Sequence, residues 1–108
     1  MIDNPDQVER LVIKLRQSLP LFATVTPEVA AAIRKLSAEA DTRRAYPITQ
    51  VDYAGDEGGI VCKVEIGARA LFASITHLRF GHVGPIARQI ETYQKHRVKR
   101  LRRIQSPQ

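Results

Sequence analysis

Apolar positions recur along the chain with two different spacings, which separate helical from strand-like segments. In residues 1–45, apolar side chains three and four positions apart predict two amphipathic helices. The first helix begins near Pro5 and ends before Pro20, and the second begins at Thr26-Pro27. The short run Leu21–Val25 between them has the composition of an edge strand.

Residues 46–82 have the pattern of an antiparallel sheet. Ile48–Ala54 predicts a first strand, and a glycine-rich turn separates it from Ile60–Ile66, which alternates strictly between apolar and polar residues. Ala70–Phe80 predicts a third strand, but its apolar residues fall at both parities. This strand is therefore expected either to be buried on both faces or to contain a bulge near Thr76. Burial on both faces would suit a strand with a neighbour on each edge, one of them formed by residues 21–25.

The segment 83–104 predicts one long helix that follows Gly84-Pro85. At 100° per residue, its apolar residues fall within an arc of about 140°, a face expected to pack on the sheet. These residues are Ile86, Ala87, Ile90, Tyr93, Val98, Leu101 and Ile104. Arg97 lies inside the same arc, so it is expected to snorkel, to pair with an acid or to reach a functional site.

The order of elements, α-α-β-β-β-α, predicts a single α+β domain over residues 1–108. The expected fold has two N-terminal helices in 1–45, a three- to four-stranded antiparallel sheet in 46–82 and a long basic C-terminal helix in 83–104. Residues 105–108 are expected to be a disordered tail.

Composition is that of an ordinary folded chain, with 44% hydrophobic and 26% charged residues. No apolar run approaches the roughly 18 residues that span a bilayer, and the first ten residues lack the apolar block of a secretory signal. Cys62 is the single cysteine of the chain, which excludes an internal disulfide. We expect a cytoplasmic protein with no membrane partner, and a buried structural role for Cys62.

The net charge of +6 is concentrated at one end of the chain. Residues 85–104 contain seven basic residues and one acidic residue, and the rest of the sequence is balanced. Such asymmetry is typical of proteins that bind an anionic partner. The outward side of the last helix therefore predicts a phosphate-binding surface made of Arg88, Lys95, Lys99, Arg102 and Arg103. The alternative is a solvated helix face, because Lys and Arg also favour helix C-termini.

A second candidate site lies in the stretch Thr76–His82, which leads into the basic helix. His77, Arg79 and His82 are the residue types of a ribonuclease that needs no metal. Such an enzyme uses a base for the 2′-hydroxyl, an acid for the leaving oxygen and a cation for the phosphorane charge. The alternative is that these are ordinary residues on the wetter face of a strand.

Metal and cofactor chemistry has little support in the sequence. Four acids surround the predicted hairpin, namely Asp52, Asp56, Glu57 and Glu65. A metal nuclease often has an acid two positions before a lysine, but Val61 precedes Lys63 at that spacing. Asp52 or Glu65 is instead expected to pair with Arg97 or Arg79. No zinc spacing, Walker loop or dinucleotide fingerprint is present, so we expect no metal and no cofactor.

Two loose family resemblances concern RNA. Residues 27–104, with Pro27-Glu28-Val29, a β-rich middle and Pro85 before a basic tail, resemble the RelE-type ribosome-dependent mRNA-cleaving toxins. That resemblance implies catalytic roles for His77, Arg79 and Tyr93, although the family's Leu-xxx-Phe-x-Lys strand end is replaced here by Thr-His-Leu-Arg-Phe.

Residues 46–104 are also similar to a double-stranded RNA-binding domain in their β-β-β-α order. The Lys-rich loop of that family is replaced here by Gly-His-Val-Gly-Pro.

Three functions follow as hypotheses. The first is a small domain that binds nucleic acid, with RNA favoured, through phosphate contacts of its last helix and mostly without sequence specificity. The second is the metal-independent ribonuclease that uses His77 and Arg79. The third is a protein-interaction module whose basic helix docks on an acidic protein or pairs with a second copy of the chain.

Overall fold

The fold is a five-stranded antiparallel sheet with helices packed on one of its faces. The computed structural model describes residues 5–81 and 86–105, without the side chains of residues 56, 57 and 103–105. In chain order the elements are α1 (Pro5–Ser18), β1 (Leu21–Val25), α2 (Pro27–Leu36), β2 (Tyr46–Tyr53), α3 (Gly55–Gly58), β3 (Ile60–Ile66), β4 (Arg69–Ser74), a 3-10 turn (Ile75–His77), β5 (Leu78–Phe80) and α4 (Ile86–Gln105). The predicted α+β class is confirmed.

The strands lie in the order β4-β3-β2-β1-β5, and each neighbouring pair is antiparallel. The prediction of three to four strands was too low. The prediction of an edge position for Leu21–Val25 was also wrong, because β1 lies between β2 and β5. The sheet curls into a half-barrel, since α2 contacts both β1 and β4 although two strands separate them.

The predicted third strand is two strands. The 3-10 turn interrupts the chain at the place where a bulge near Thr76 was expected, and the segment before it, β4, pairs with β3. The segment after it, β5, crosses to the other edge of the sheet and pairs with β1. The change in apolar parity along this stretch therefore reflects a break in the strand and not burial on both faces.

The core lies between the inner face of the sheet and the three helices longer than one turn. In β3 the predicted alternation is confirmed, with Ile60, Cys62, Val64 and Ile66 all buried. The apolar stripe of α1 is buried against the same cluster, as are the apolar residues of α2. The opposite face of the sheet has no covering element in the part of the chain described.

Helix α4 packs chiefly on the 3-10 turn and on α1. Ile86 and Ile90 are buried as predicted, but Val98 remains 37% exposed, so the expectation that the whole apolar arc packs on the sheet was wrong. Ile104 has its side chain outside the described part. Within residues 5–81 and 86–105, every helix is too short or too polar to cross a membrane.

Candidate functional site

A groove of about 550 Å³ runs between the edge strand β5 and helix α4. We call it the β5–α4 groove, and four basic side chains line it: Arg79, Lys95, Lys99 and Arg102. Glu91 is the one carboxylate among its described lining residues. Phe80, Ala87, Ile90 and Val98 supply apolar walls. The structure thus places Arg79, which was predicted as a catalytic residue, beside three of the predicted phosphate-binding residues.

The basic groups of the β5–α4 groove form no ion pair with any described carboxylate. The ion pairs among the described side chains join Arg16 to Asp52, Arg43 to Asp41 and Lys63 to Glu65, all elsewhere in the molecule. Within that same set, no carboxylate pairs with any of the four cations. Like charges that converge on a groove create a positive potential that attracts an anionic ligand.

Gln94 fixes the position of α4 against β5. Its side-chain amide donates hydrogen bonds to the carbonyl oxygen of Ile75 at 2.7 Å and to that of Leu78 at 2.8 Å. These two carbonyls lie at either end of the 3-10 turn, so one side chain joins the helix to both the turn and the strand. The distance across the β5–α4 groove depends on this connection.

A second groove of about 390 Å³ lies on the other side of the same helix, between α1 and α4. We call it the α1–α4 groove, and its basic residues are Arg10, Lys14, Arg88 and His96, with no carboxylate among its described lining residues. The sequence placed Arg88 on one surface with Lys95 and Lys99, but the structure divides these residues between two grooves. Arg103 has its side chain outside the described part. Arg10 and Lys14 were not predicted, although their i, i+4 spacing on α1 indicates one shared helix side.

Arg97 lies inside the protein and not at either groove. Its side chain is only 1% exposed, and it packs against Gly59 at the start of β3. Tyr93 lies at the same place, where its hydroxyl accepts a hydrogen bond of 3.1 Å from the Ile60 backbone N–H. The two side chains therefore anchor α4 to the β2–β3 connection, and this contact gives Tyr93 a structural role.

His77 lies at the start of α2 and does not line the β5–α4 groove. Its carbonyl oxygen accepts hydrogen bonds from the backbone N–H of Thr26 at 3.2 Å and from the Thr26 hydroxyl at 3.0 Å. Glu28 is close by, and its pKa is lowered chiefly by a hydrogen bond to its own backbone N–H, then by Thr26, with a smaller effect of the His77 charge. A negative carboxylate beside His77 opposes the approach of a phosphate. His82 lies outside the described residues.

The acids of the hairpin have partners other than those predicted. Asp52 pairs with Arg16 at 3.1 Å, and Glu65 lies 3.7 Å from Lys63 while it accepts a 2.8 Å hydrogen bond from Thr49. Among the described ion pairs, neither Asp52 nor Glu65 is joined to Arg97 or Arg79 as expected. Across the described ranges, no three His, Cys, Asp or Glu side chains converge in a way that would bind a metal ion.

Cys62 is fully buried in β3, and burial raises the pKa of its thiol to about 12. At pH 8 only about one thiol in 10⁴ is then a thiolate, the form that reacts. We expect a disulfide reagent such as DTNB to react at least about a hundredfold more slowly with the folded protein than with the protein in 6 M guanidinium. Stopped-flow absorbance measures both rates. Similar rates in the two conditions would contradict the buried position of Cys62.

Comparison with known proteins identifies no family for this chain. No family model, curated protein or solved structure matches the chain. The fold also departs from the β-β-β-α order of a double-stranded RNA-binding domain. Residues 46–104 contain four strands where a β-β-β-α unit has three. The function must therefore be inferred from the grooves themselves.

Proposed function

We propose that the protein binds nucleic acid, with RNA favoured, through phosphate contacts in the β5–α4 groove. The observation that supports this most directly is the convergence of four basic side chains that have no carboxylate partner among the described residues. A structural ion-pair network would leave such groups neutralised. A basic side chain without an acidic partner in the groove leaves its positive charge available to an anionic ligand.

The arrangement of the cations suits an extended polyanion. Lys95, Lys99 and Arg102 lie on successive turns of α4, at intervals of roughly 4.5–6 Å along the helix axis. Arg79 faces them from the strand side of the same groove. Contacts of this kind fix a sugar-phosphate backbone without reading its bases, so we expect little sequence specificity. The positive α1–α4 groove on the other side of the helix extends the attraction to a longer strand.

The test is a titration of labelled RNA at several salt concentrations, followed by fluorescence anisotropy. If four phosphates are engaged, log K for a single strand should fall with log salt at a slope of about −3. The double variant Lys95→Glu and Lys99→Glu should lower affinity about a hundredfold at low salt and reduce the slope to about −1.4, because two phosphate contacts are lost.

A matched control removes the same charge from a different surface. Lys35 on α2 and Arg69 on β4 are both exposed, and neither lines either groove. The double variant Lys35→Glu and Arg69→Glu therefore has the same net charge as the groove variant. It should bind RNA with an affinity within about threefold of the wild-type value. Equal losses in the two double variants would mean that net charge alone drives binding, and would contradict a site in the groove.

The same samples distinguish binding from cleavage. The structure separates His77 from the groove that contains Arg79, which favours binding over the ribonuclease hypothesis. RNA recovered after the titration is analysed on a denaturing gel. Cleavage that disappears in the His77→Ala variant, with affinity unchanged, would restore the ribonuclease as the better description.

A further inference from the structure

We propose that the ligand is a single-stranded nucleic acid and that one of its bases stacks on Phe22. This inference rests on the proposed function and specifies the ligand class for it. Phe22 lies on the uncovered face of β1 and is 56% exposed. Phe22 was not among the predicted site residues, because the alternation in Leu21–Val25 does not indicate which side of the strand is covered.

Phe22 lies on a path that continues from the β5–α4 groove. A further depression of about 520 Å³ is lined by Phe22, Thr24, Arg79, Phe80 and the residues around them. Arg79 and Phe80 line both this depression and the β5–α4 groove. The two are therefore continuous around the edge strand β5, with the α4 cations at one end and the exposed ring at the other.

The strand register brings the ring of Phe22 within reach of a free cation. Arg79 lies directly opposite Thr24, and Phe22 is two residues from Thr24 on the same face of β1. Phe22 and Arg79 are thus diagonal neighbours, at a separation of about 7–8 Å that long side chains bridge. Among the described acids none pairs with Arg79. A single exposed phenylalanine is unremarkable. A phenylalanine beside a guanidinium, at the end of a basic groove, offers a stacking surface for a base and a cation for a phosphate of the same nucleic-acid strand.

The combination of a basic groove and an exposed aromatic ring favours single-stranded nucleic acid over a duplex. A base stacks on an aromatic ring only when it is released from the stack of its own duplex, and such a contact strengthens binding roughly fivefold or more. In a duplex the bases are paired and stacked inside, and only the phosphate contacts remain. We therefore expect single-stranded RNA or DNA of 12 nucleotides to bind at least about fivefold more tightly than a duplex of the same length, in the same salt.

Phe72 supplies a matched control for Phe22. It is 59% exposed on β4, at the opposite edge of the sheet from β5, where it faces Lys63 across the strand pair. It lines none of the three grooves described above. Both rings are on strands and almost equally exposed, so their removal costs the fold similar amounts of free energy. A difference in binding between the two variants then reports contact with the ligand.

The decisive experiment uses tryptophan, which the chain lacks. In Phe22→Trp the fluorescence should be quenched when a 12-nucleotide RNA is added, whereas in Phe72→Trp it should stay unchanged. In parallel, Phe22→Ala should weaken binding about tenfold with an unchanged salt slope, because stacking releases no counterions. Phe72→Ala should bind within about twofold of wild type. Circular dichroism and thermal unfolding establish that all four variants are folded.

The failures of the two proposals are distinguishable. If Phe22→Ala binds like wild type and Phe22→Trp is not quenched, while the Lys95→Glu and Lys99→Glu variant loses affinity, stacking on Phe22 is overturned and phosphate binding stands. Equal affinity for duplex and single strand would also overturn this inference alone. If the wild-type protein binds no nucleic acid at low salt, both proposals fall.

Discussion

Replacing Gly59 by alanine is expected to lower the free energy of unfolding by about 4 kcal/mol. Gly59 has φ +63° and ψ −143°, a backbone conformation essentially restricted to glycine. A Cβ at this position would lie 2.6 Å from Nε of Arg97 and 2.7 Å from the hydroxyl oxygen of Tyr93. Both neighbours are held in place, because Arg97 is buried and the Tyr93 hydroxyl accepts the Ile60 N–H bond. The variant combines backbone strain with steric overlap that these groups cannot relieve.

Urea unfolding measured by circular dichroism tests this expectation, with Gly67→Ala as the control. Gly67 also has a positive φ, +60°, but a Cβ there would meet no atom within 4 Å. Its substitution should cost only the backbone strain, about 1–2 kcal/mol. If Gly59→Ala were no more destabilising than Gly67→Ala, the close packing of Arg97 on Gly59 would be refuted.

A double-mutant cycle separates the steric part of the effect. Arg97→Ala should itself be strongly destabilising, by about 3 kcal/mol or more, because it empties the space of a fully buried side chain. In the Gly59→Ala and Arg97→Ala double variant the added methyl group no longer overlaps a guanidinium. The destabilisation of the double variant should therefore be about 1–2 kcal/mol smaller than the sum of the two single destabilisations. Strict additivity would mean that the two residues are not in contact.

Local patterns predicted the elements that depend on local interactions. β3 was predicted at its observed bounds, Ile60–Ile66, because each inward residue is buried and each outward residue is not. The starts of α1 and α2 followed from Pro5 and from Thr26-Pro27. Residues 21–25 were suggested as a neighbour of the predicted strand Ala70–Phe80, and β1 does pair with its last part, β5. The break that makes β5 a separate strand at the other edge of the sheet was not predicted, because three residues carry no periodic pattern of their own.

The candidate site was predicted in part, because only the residues that share one helix are related by local spacing. Residues on one helix, such as Lys95 and Lys99, share a side by their spacing alone, and the structure places them together. Arg79 was selected for its chemistry, but its position beside the basic residues of α4 was not predicted, because it results from the crossing of β5 to the far edge of the sheet. Arg97 was identified as an exception within the apolar arc. Its burial against Gly59 required the three-dimensional fold.

Gln94→Glu is expected to be strongly destabilising, at a cost of about 3 kcal/mol at pH 7. The wild-type amide donates to the carbonyl oxygens of Ile75 and Leu78, and a carboxylate of nearly the same shape would face both oxygens with negative charge. Gln94→Met is the control, because it removes the donor without adding charge. It should cost about 2 kcal/mol at every pH from 4 to 8.

The pH dependence of Gln94→Glu is the sharper measurement. The two carbonyl oxygens favour the protonated acid, so the pKa of the introduced carboxyl should be higher in the folded protein than its usual value of about 4.3. The additional destabilisation is then fully present above the folded pKa and is lost as the pH falls towards 4, where the protonated carboxyl donates one hydrogen bond. Urea unfolding of wild type, Gln94→Met and Gln94→Glu from pH 4 to pH 8 follows this change.

The same substitution connects the fold to the proposed site. Because Gln94 joins α4 to both ends of the 3-10 turn, its loss should let the helix move away from β5 and widen the groove between Arg79 and Lys95. RNA affinity of Gln94→Glu, measured under conditions where the variant is folded, should therefore fall at pH 7 and recover partly near pH 5. An affinity that stayed at the wild-type level while stability fell would show that the phosphate contacts do not depend on the position of α4 against β5.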